Sequence, residues 1–441
     1  GMIRPTIPGP PGLRYRLFLA GYAALMAMGE PLVWRYFTRR AGGDPRYGAH
    51  LEERRGEGDD FAADVWVHAV SLGEMTSAVP LVRLCLDAGM RVVTTHATPA
   101  GRAVAEKAFP REVADGKLSV RYAPIDRGPY WRAFFQTTRP RVGLVMEMEF
   151  WPAMIEAARH CGVVLCLANS QVPSTSFRRA RRTARLFGHP VARAAAIFAK
   201  SDRMAERFRK LGAERVEALG ETRFDMAPPK GQVPAGTALK AALSGRPVVT
   251  FASVVAGEEE IYLNAVRELL NGEGMPLVIW VPRAPELFDQ TVTRLRAAGL
   301  TVAKRSETFD DALDPVGALE GVDVLVGDSM GEMFFYLAPA DAVVVGGGFL
   351  ESSAHNIIEP LALGKPVITG PSIWSIEFPA VEAQAAGVHA ICTEPWQLAA
   401  TIRDVMVRGN DAATAFHADN AGASARIFDA IRPLLDAKGE K

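Results

Sequence analysis

The chain has 441 residues, with 50 lysines and arginines against 50 aspartates and glutamates, so its formal net charge is zero at pH 7. This length predicts two domains of about 200 residues each, and the balanced charge argues against a nucleic-acid-binding protein. The four cysteines have no CxxC spacing, and the eight histidines form no HExxH motif or zinc-type cluster. We therefore expect reduced thiols in the core and no metal site.

The N-terminal segment is apolar and is flanked by arginines. Residues 17–29 read LFLAGYAALMAMG, a run shorter than the ~20 residues that span a bilayer, and Glu30 and Pro31 interrupt it. The flanking arginines, with Trp34 and Tyr36, favour a helix that lies on or dips into the cytoplasmic face of a membrane. The alternative is an ordinary hydrophobic helix packed against its domain.

From residue 65 onward, short β-branched runs alternate with helical patterns. The candidate strands of the first half are 65–70, 91–95, 118–123, 142–147, 163–168, 196–200 and 215–220. This alternation predicts a parallel sheet covered by helices on both faces. The segment 226–246 is rich in Pro, Gly and Ala and predicts a linker.

The same pattern restarts after the predicted linker. The candidate strands of the second half are 247–253, 277–282, 300–304, 322–328, 341–347, 365–370 and 388–392. The chain is therefore expected to be an α/β protein with two Rossmann-like, doubly wound domains. Ligands of such sheets sit outside the carboxyl ends of the strands, so a cleft faced by both domains is the expected site.

The phrase Ser-x-Gly-Glu-Met occurs twice, each time directly after a predicted strand. Ser71 and Glu74 belong to the first copy, and Ser329 and Glu332 to the second. One interpretation is a pair of capping boxes, since the Ser-x-x-Glu spacing satisfies two N–H groups at a helix start. The other is that the two turns face one cleft, where one or both glutamates act on a ligand.

A glycine run in the second half is a candidate phosphate site. Gly346–Gly348 follow a predicted strand and lead into a helix expected from about Asn356 to Leu363. Backbone N–H groups and the dipole at a helix start attract phosphate, and Glu359 could accept from ribose hydroxyls. The alternative is that the glycines only turn the chain, because neither a dinucleotide fingerprint nor a P-loop is present.

Charged residues also follow other predicted strands. Arg283 lies between two prolines, which suits a stiffly held arginine fork, although a solvent-exposed loop arginine would have the same sequence. Glu147 and Glu149 leave the end of a strand on one side of the chain, and one of them could be only a capping or core-paired acid. Arg223 projects near the predicted linker.

With these residues assembled, the chain resembles the 3-deoxy-D-manno-octulosonic acid (Kdo) transferases of lipopolysaccharide synthesis. The resemblance runs in family order over nearly the whole chain. It is carried by WVHAVSLGEMTSAVPLV, THATPAGR, YAPID, MEMEFWPA, GETRFD, GEEEIYLNA, PRAPELF, GDSMGEMFFYLAPAD and HNIIEPLALGKPVITGP. The ordered set is specific, whereas no single piece of it would be.

The resemblance implies an inverting, metal-independent glycosyltransferase of the glycosyltransferase B arrangement. Its donor substrate would be CMP-Kdo, its acceptor a lipid A precursor, and its location the cytoplasmic face of the inner membrane, with no cofactor. The implied domains are a membrane-associated segment (1–40), an acceptor domain (41–225), the linker (226–246), a donor domain (247–410) and a C-terminal helical segment (411–441).

Site residues follow from the resemblance position by position. Glu74 matches the catalytic base, and Glu147 and Arg223 match the positions assigned to transition-state stabilisation, with Arg223 replacing a usual lysine. The matching donor (CMP) positions are Pro282, Arg283, Gly331, Glu332, Met333, Asn356, Ile357, Ile358 and Glu359. The acceptor-side candidates are Ser71, Glu149 and Arg178.

The chain departs from the family pattern at four places. Ala284 stands in place of a usual histidine, Ser353-Ala354 in place of a glycine pair, Ala153 in place of an asparagine, and the segment 169–180 is altered. The first two bear on the donor pocket and the last two on the acceptor side. Two alternatives therefore stay open: a related transferase that uses CMP-Kdo or another CMP-activated acid sugar on a different glycan, and an inactive relative that binds donor or lipid.

Overall fold

The computed structural model describes residues 2–272 and 274–436. The chain divides into two compact units: residues 227–420 form the second, and the described residues before and after them form the first. Each unit contains one seven-stranded sheet whose neighbouring strands are all parallel. The prediction of two doubly wound α/β halves is confirmed.

The first unit alternates strands and helices after an N-terminal helix. Its strands are β1 (Val65–His68), β2 (Val92–His96), β3 (Leu118–Tyr122), β4 (Val142–Met146), β5 (Val164–Ser170), β6 (Ala196–Ala199) and β7 (Val216–Ala218). Its helices before the second unit are α1 (Leu13–Ala41), α2 (Leu72–Asp87), α3 (Pro99–Ala108), α4 (Pro110–Ala114), α5 (Gly128–Thr138), α6 (Pro152–His160), α7 (Ser174–Leu186) and α8 (Asp202–Lys210). The strand order β3-β2-β1-β4-β5-β6-β7 reverses between β1 and β4, which is where ligands bind in such sheets.

The second unit repeats this plan. Its strands are β8 (Val248–Val254), β9 (Leu277–Pro282), β10 (Val302–Lys304), β11 (Val324–Val326), β12 (Ala342–Val345), β13 (Val367–Thr369) and β14 (His389–Ile391), in the order β10-β11-β9-β8-β12-β13-β14. Its helices are α9 (Gln232–Ala242), α10 (Glu259–Leu270), α11 (Phe288–Ala297), α12 (Arg305–Thr308), α13 (Met333–Leu337), α14 (Ile358–Ala362), α15 (Glu377–Ala385), α16 (Leu398–Arg408) and α17 (Asp411–Asn420). Every predicted strand segment overlaps one of the fourteen strands.

The segment 226–246, predicted to be a linker, contains helix α9 in the structure. This helix packs closely against α13 at Gly236, where an added Cβ would lie 2.6 Å from the Cβ of Ala338. Leu239 of α9 is buried in the core of the second unit. A segment rich in Pro, Gly and Ala was expected to connect the halves, but its alanines and leucines form a packed helix instead.

The C-terminal segment is divided between the two units. Helix α17 belongs to the second unit, whereas α18 (Ala423–Asp436) returns to the first. Ile427 and Ile431 of α18 are fully buried in the core of the first unit. The predicted separate segment 411–441 is therefore not one element, and residues 437–441 of it lie outside the described residues.

Three of the four cysteines are in the core, as predicted. Cys85, Cys166 and Cys392 are buried free thiols, but Cys161 is exposed. Cys161 is the C-cap residue that follows α6. Its apolar neighbours in the sequence belong to the adjoining helix and strand and do not cover it.

Candidate active site

Ser71 and Glu74 form the start of α2, directly after β1. The Glu74 amide donates to Ser71 Oγ at 3.3 Å, and the Ser71 hydroxyl donates to Glu74 Oε2 at 3.0 Å. The first copy of the repeated phrase is therefore a helix cap. The Glu74 carboxyl group is also buried, with the charges of two further glutamates, Glu149 and Glu147, acting on it.

Glu149 and Glu147 lie close enough to Glu74 for their charges to act on its carboxyl group. Burial raises the pKa of Glu74, and the charges of Glu149 and Glu147 raise it further. Burial also raises the pKa of Glu149, whose Oε2 accepts from Trp151 Nε1 at 2.7 Å. A carboxylate with a raised pKa is a stronger proton acceptor once it is ionised.

Glu147 is held from three sides at the end of β4. Its Oε1 accepts from Asn169 Nδ2 at 3.0 Å, and its Oε2 lies 2.7 Å from Lys200 Nζ. Its carbonyl oxygen accepts from the Ser170 hydroxyl at 2.7 Å. Both carboxylate oxygens are therefore already paired within the first unit.

Lys200 and Glu221 connect Glu147 to Arg223. Lys200 Nζ lies 3.4 Å from Glu221 Oε2, and Arg223 Nε lies 3.6 Å from Glu221 Oε1. Arg223 also donates to the carbonyl oxygen of Gly73, next to Glu74, at 3.3 Å. Glu221 is fully buried, and burial raises its pKa while the Lys200 cation opposes that rise. A chain of alternating charges thus ends beside Glu74.

The structure brings Ser71, Glu74, Glu147, Glu149 and Arg223 together at this edge of the first sheet, and their catalytic and acceptor-side roles stay predictions. Arg178 is different: it is exposed on α7, away from the hydrogen bonds and ion pairs that join this cluster in the described chain. The sequence analysis missed Asn169, Lys200 and Glu221. Lys200 could have been found, because it follows an apolar strand in the same way that Glu147 does.

In the second unit, the predicted donor residues also follow strands. Pro282 ends β9, and the Arg283 amide donates to the carbonyl oxygen of Val254 at 2.8 Å. The Arg283 side chain is exposed. Burial lowers the pKa of His355, and the charge of Arg283 lowers it further.

The second Ser-x-Gly-Glu-Met copy is not a capping box, contrary to the first interpretation. The Ser329 hydroxyl bonds to that of Tyr336, and α13 begins only at Met333. Glu332 instead forms a bidentate ion pair with Arg305, at 2.8 Å and 3.1 Å. Arg305 is a further residue that the sequence analysis missed.

The glycine run turns the chain at a point where backbones nearly touch. A Cβ on Gly346 would lie 2.1 Å from the carbonyl oxygen of Ser253. The Gly347 amide donates to the Glu258 carboxyl group, with both oxygens at 2.9 Å. This supports the interpretation that the glycines turn the chain, since the Gly347 amide already donates to a buried side chain and is not available to a phosphate.

The helix after the glycine run is shorter than predicted. It begins at Ile358, whose amide donates to Asn356 Oδ1 at 2.7 Å, and it ends at Ala362. Asn356 Nδ2 also donates to Glu359 Oε1 at 3.5 Å. Asn356 therefore lies before the N-cap residue Ile357 and binds the first amide of the helix rather than forming its first turn.

Helix α1 is longer than the apolar run that predicted it, and its length and composition would allow it to cross a membrane. One side packs on the first unit: Tyr22 donates to Asp126 Oδ2 at 2.7 Å, and Glu30 pairs with Arg127 at 3.0 Å. The opposite side is exposed and apolar, with Leu17, Leu25, Met28, Leu32 and Tyr36. The packed side matches the interpretation of a hydrophobic helix on its domain. The exposed apolar side is the one that the membrane interpretation would use.

The fold places the protein among glycosyltransferase B-like proteins. A crystal structure of a glycosyltransferase from Rickettsia africae matches with a TM-score of 0.53 at 10% sequence identity, covering 86% of this chain and 100% of that one. At this identity the likeness shows the fold alone. The two parallel sheets and this neighbour define a glycosyltransferase B-like fold.

Sequence comparison shows the family. The family model described as 3-deoxy-D-manno-octulosonic-acid transferase (kdotransferase) matches residues 45–226. The 3-deoxy-D-manno-octulosonic acid transferase of Bordetella pertussis is 35% identical, over 96% of this chain and 99% of that protein. That of Haemophilus influenzae is 27% identical over 94% of this chain and 98% of that protein. The chain belongs to the Kdo transferase family.

Proposed function

We propose that this protein is an inverting glycosyltransferase that moves Kdo from CMP-Kdo to a lipid A precursor at the cytoplasmic face of the inner membrane. The observation that carries the proposal is the buried carboxyl group of Glu74, at the start of α2 beside the edge where the first sheet reverses its strand order. Family membership and the exposed apolar side of α1 support the donor and the location.

In the proposed reaction, an acceptor hydroxyl attacks the anomeric carbon of Kdo from the side opposite the CMP group. Glu74 accepts the hydroxyl proton, a new carbon–oxygen bond forms, and the bond between that carbon and the phosphate oxygen breaks. CMP leaves as an anion and needs no general acid. Inversion follows from this single displacement.

Glu147 and Arg223 act in this proposal by their charges. Glu147 is fixed by Asn169 and Lys200, so its negative charge is preorganised to stabilise positive charge that develops on the sugar ring. Arg223 lies over the start of α2 through its bond to the Gly73 carbonyl. There it can offset the negative charge of Glu74 and its neighbours or hold the Kdo carboxylate.

On the donor side, the exposed guanidinium of Arg283 is proposed to bind the CMP phosphate. Asn356 and the segment Ile357–Glu359 are proposed to bind the nucleotide, with Glu359 accepting from the ribose hydroxyls. The turn Gly331–Met333 is the third donor element, and Glu332 contributes by anchoring it to Arg305. No cofactor is proposed, because the leaving group is already activated.

The test is to incubate the purified protein with CMP-Kdo and the tetraacylated lipid A precursor, with EDTA present, and to weigh the lipid product by mass spectrometry. We expect a gain of one or more Kdo units. Glu74→Gln should lower turnover by roughly 10²-fold or more while leaving CMP binding nearly unchanged.

Two results would change the proposal. Near-normal turnover by Glu74→Gln would leave Glu74 as a helix cap only. No gain of mass by the wild-type protein, with CMP-Kdo still bound, would instead indicate a different acceptor, and Ala153 and the segment 169–180 would be the next residues to exchange.

A further inference from the structure

A cavity of about 420 Å³ lies within the first unit, between α1 and the loops that follow β2, β3 and β4. Its walls are mainly apolar or aromatic and include Met26, Val33, Phe37, Ile125 and Trp151. The volume is in the range of small-molecule sites, which are lined by apolar side chains with a few polar groups. One linear alkyl or acyl chain fits this description.

The cation among the lining residues is Arg54, on the 3₁₀ helix Leu51–Arg55. Arg54 is only 3% exposed, and its guanidinium lies 4.4 Å from the Phe37 ring centroid and 4.0 Å from that of Tyr122. Its Nη1 donates to the carbonyl oxygen of Ala97 at 2.9 Å. Its Nε and Nη2 have no hydrogen-bond partner among the described residues.

The acidic residues nearby are already used by other groups. Asp126 accepts from Tyr22, from Trp131 Nε1 at 3.0 Å and from the backbone amides at 153 and 154. Glu53 Oε1 accepts from Arg102 Nη1 at 2.5 Å and from the Tyr122 amide at 3.1 Å. Arg54 is therefore a buried cation with two nitrogens, Nε and Nη2, that have no partner in the described chain, in the fork geometry that suits a phosphoryl group.

The cavity is connected to the candidate catalytic residues through Trp151. This residue lines the cavity, and its Nε1 donates to Glu149, whose charge raises the pKa of Glu74. The other long wall is α1, whose opposite side is the exposed apolar surface described above. An amphiphile in the cavity would thus lie next to the candidate catalytic carboxyl groups and under the helix proposed to meet the membrane.

We propose that this cavity is an acceptor subsite that binds a phosphoryl group of the lipid acceptor at Arg54 and one of its acyl chains against α1. The inference deepens the proposed function and rests on it for the identity of the lipid. The chemistry it requires, a phosphoryl group adjacent to an alkyl chain, follows from the arginine fork and the apolar walls alone.

The test measures binding without CMP-Kdo, so that catalysis is not needed. The full-length protein in uncharged detergent is titrated calorimetrically with the tetraacylated lipid A precursor and with the same lipid after removal of its phosphates. Arg54→Gln should weaken binding of the phosphorylated lipid by roughly tenfold to hundredfold and leave binding of the dephosphorylated lipid unchanged. The matched control is Arg55→Gln, an exposed arginine on the same 3₁₀ helix.

A second pair of variants tests the acyl chain and does not alter Arg54. Val33→Trp places a larger side chain in the cavity and should weaken binding of both lipids. Thr38→Trp adds the same side chain at an exposed position of α1 and should not. Thermal unfolding of each variant shows whether it folds. If Arg54→Gln does not fold, the comparison of Val33→Trp with Thr38→Trp still shows whether the cavity binds the lipid.

Equal affinity of Arg54→Gln and wild type for the phosphorylated lipid would overturn the proposal. So would equally tight, Arg54-dependent binding of phosphatidylglycerol, which would make the cavity a site for bulk membrane lipid. A protein that transfers Kdo but shows no Arg54 effect retains the proposed function and loses the subsite. One that shows the Arg54 effect but no transfer retains the subsite and loses the proposed function.

Discussion

Glu147 adopts a left-handed backbone conformation, with φ of 61°, at the end of β4. For a residue other than glycine this costs about 1–3 kcal/mol. The bonds from Ser170, Asn169 and Lys200 fix the conformation and direct the carboxylate toward Lys200. Backbone strain next to a buried ion pair is consistent with a functional position.

The first prediction concerns the pH dependence of transfer. Glu74 must be ionised to act as a base, and its pKa is raised by burial and by the charges of Glu149 and Glu147, so kcat/KM should rise with pH through that pKa. Glu149→Gln removes one of these charges, lowers the pKa of Glu74, and should move the acidic limb by about one pH unit to lower pH.

The matched control is Glu206→Gln, at an exposed position of α8, which should leave the profile in place. An acidic limb that does not move in Glu149→Gln, or that moves to higher pH, would contradict the assignment of Glu74 as the titrating base.

The second prediction concerns Lys200. Lys200→Met leaves Glu147 and Glu221 buried without their shared cation, which should cost about 3–5 kcal/mol in the free energy of unfolding, measured in urea. Adding Glu147→Gln should recover part of that loss. The control is Lys210→Met, at an exposed site on α8. An equally small change in the free energy of unfolding for both lysine variants would contradict the prediction, because the buried carboxylates would then be stabilised by other groups.

The two Ser-x-Gly-Glu-Met copies show how an element depends on its surroundings. The first begins α2, which is 16 residues long, and its serine caps the helix. The second precedes α13, which is five residues long, and its glutamate pairs with Arg305 on α12. The local phrase is the same, but a nearby guanidinium competes for the second glutamate.

The third prediction concerns α1. Leu25, Met28, Leu32 and Tyr36 are spaced three or four residues apart, so they share one side of the helix. Leu25→Glu combined with Met28→Glu should weaken binding to anionic phospholipid vesicles by roughly tenfold or more, measured by sedimentation, because charge replaces buried apolar surface. Circular dichroism should show no change.

The control for α1 is Met275→Glu with Val407→Glu, which replaces two exposed apolar residues of the second unit. This pair should bind vesicles like wild type. Equal binding by both double variants would mean that the exposed side of α1 does not contact the membrane.

At the scale of the whole molecule, the chain leaves the first unit after Met226 and returns to it at Ala421. Asp225 receives bonds from the amides of Gly422 at 2.5 Å and Ser424 at 2.7 Å, so it fixes the start of α18 at the point of return. Helix α18 then covers the core beside α2. The first unit is thus built from two distant parts of the sequence.

The fourth prediction follows from this return. Ile431→Ala should destabilise the first unit by about 2–5 kcal/mol, because it leaves a cavity beside α2. Hydrogen exchange followed by mass spectrometry should show faster exchange in the first unit and unchanged exchange in residues 227–420. Ile402→Ala, at an equally buried site on α16, should speed exchange in residues 227–420 and leave the first unit unchanged. The same exchange pattern in both variants would contradict the division of the chain into two units.

Much of the fold and part of the site could be predicted from the sequence. The fourteen strands were predicted because β-branched runs separated by helical patterns are a local property of the chain. Glu74 was predicted to lie at the carboxyl end of one strand, and Glu147 and Glu149 at the end of another, because charged residues that directly follow apolar strands lie at the ligand-binding edge of such a sheet. The helix inside 226–246 was missed, since its packing on α13 depends on residues about 100 positions away.

By itself, the sequence determined the family, the alternation of strands and helices, and the edge of each sheet at which charged residues appear, because all of these follow from local composition and order. Only the tertiary structure decided which charges neutralise one another. Lys200 pairs with Glu147, Arg305 with Glu332, and two nitrogens of Arg54, a residue that lines a cavity, have no partner among the described residues. The physical reason is that electrostatic pairing and burial depend on distances between residues far apart in the chain, which no local pattern encodes.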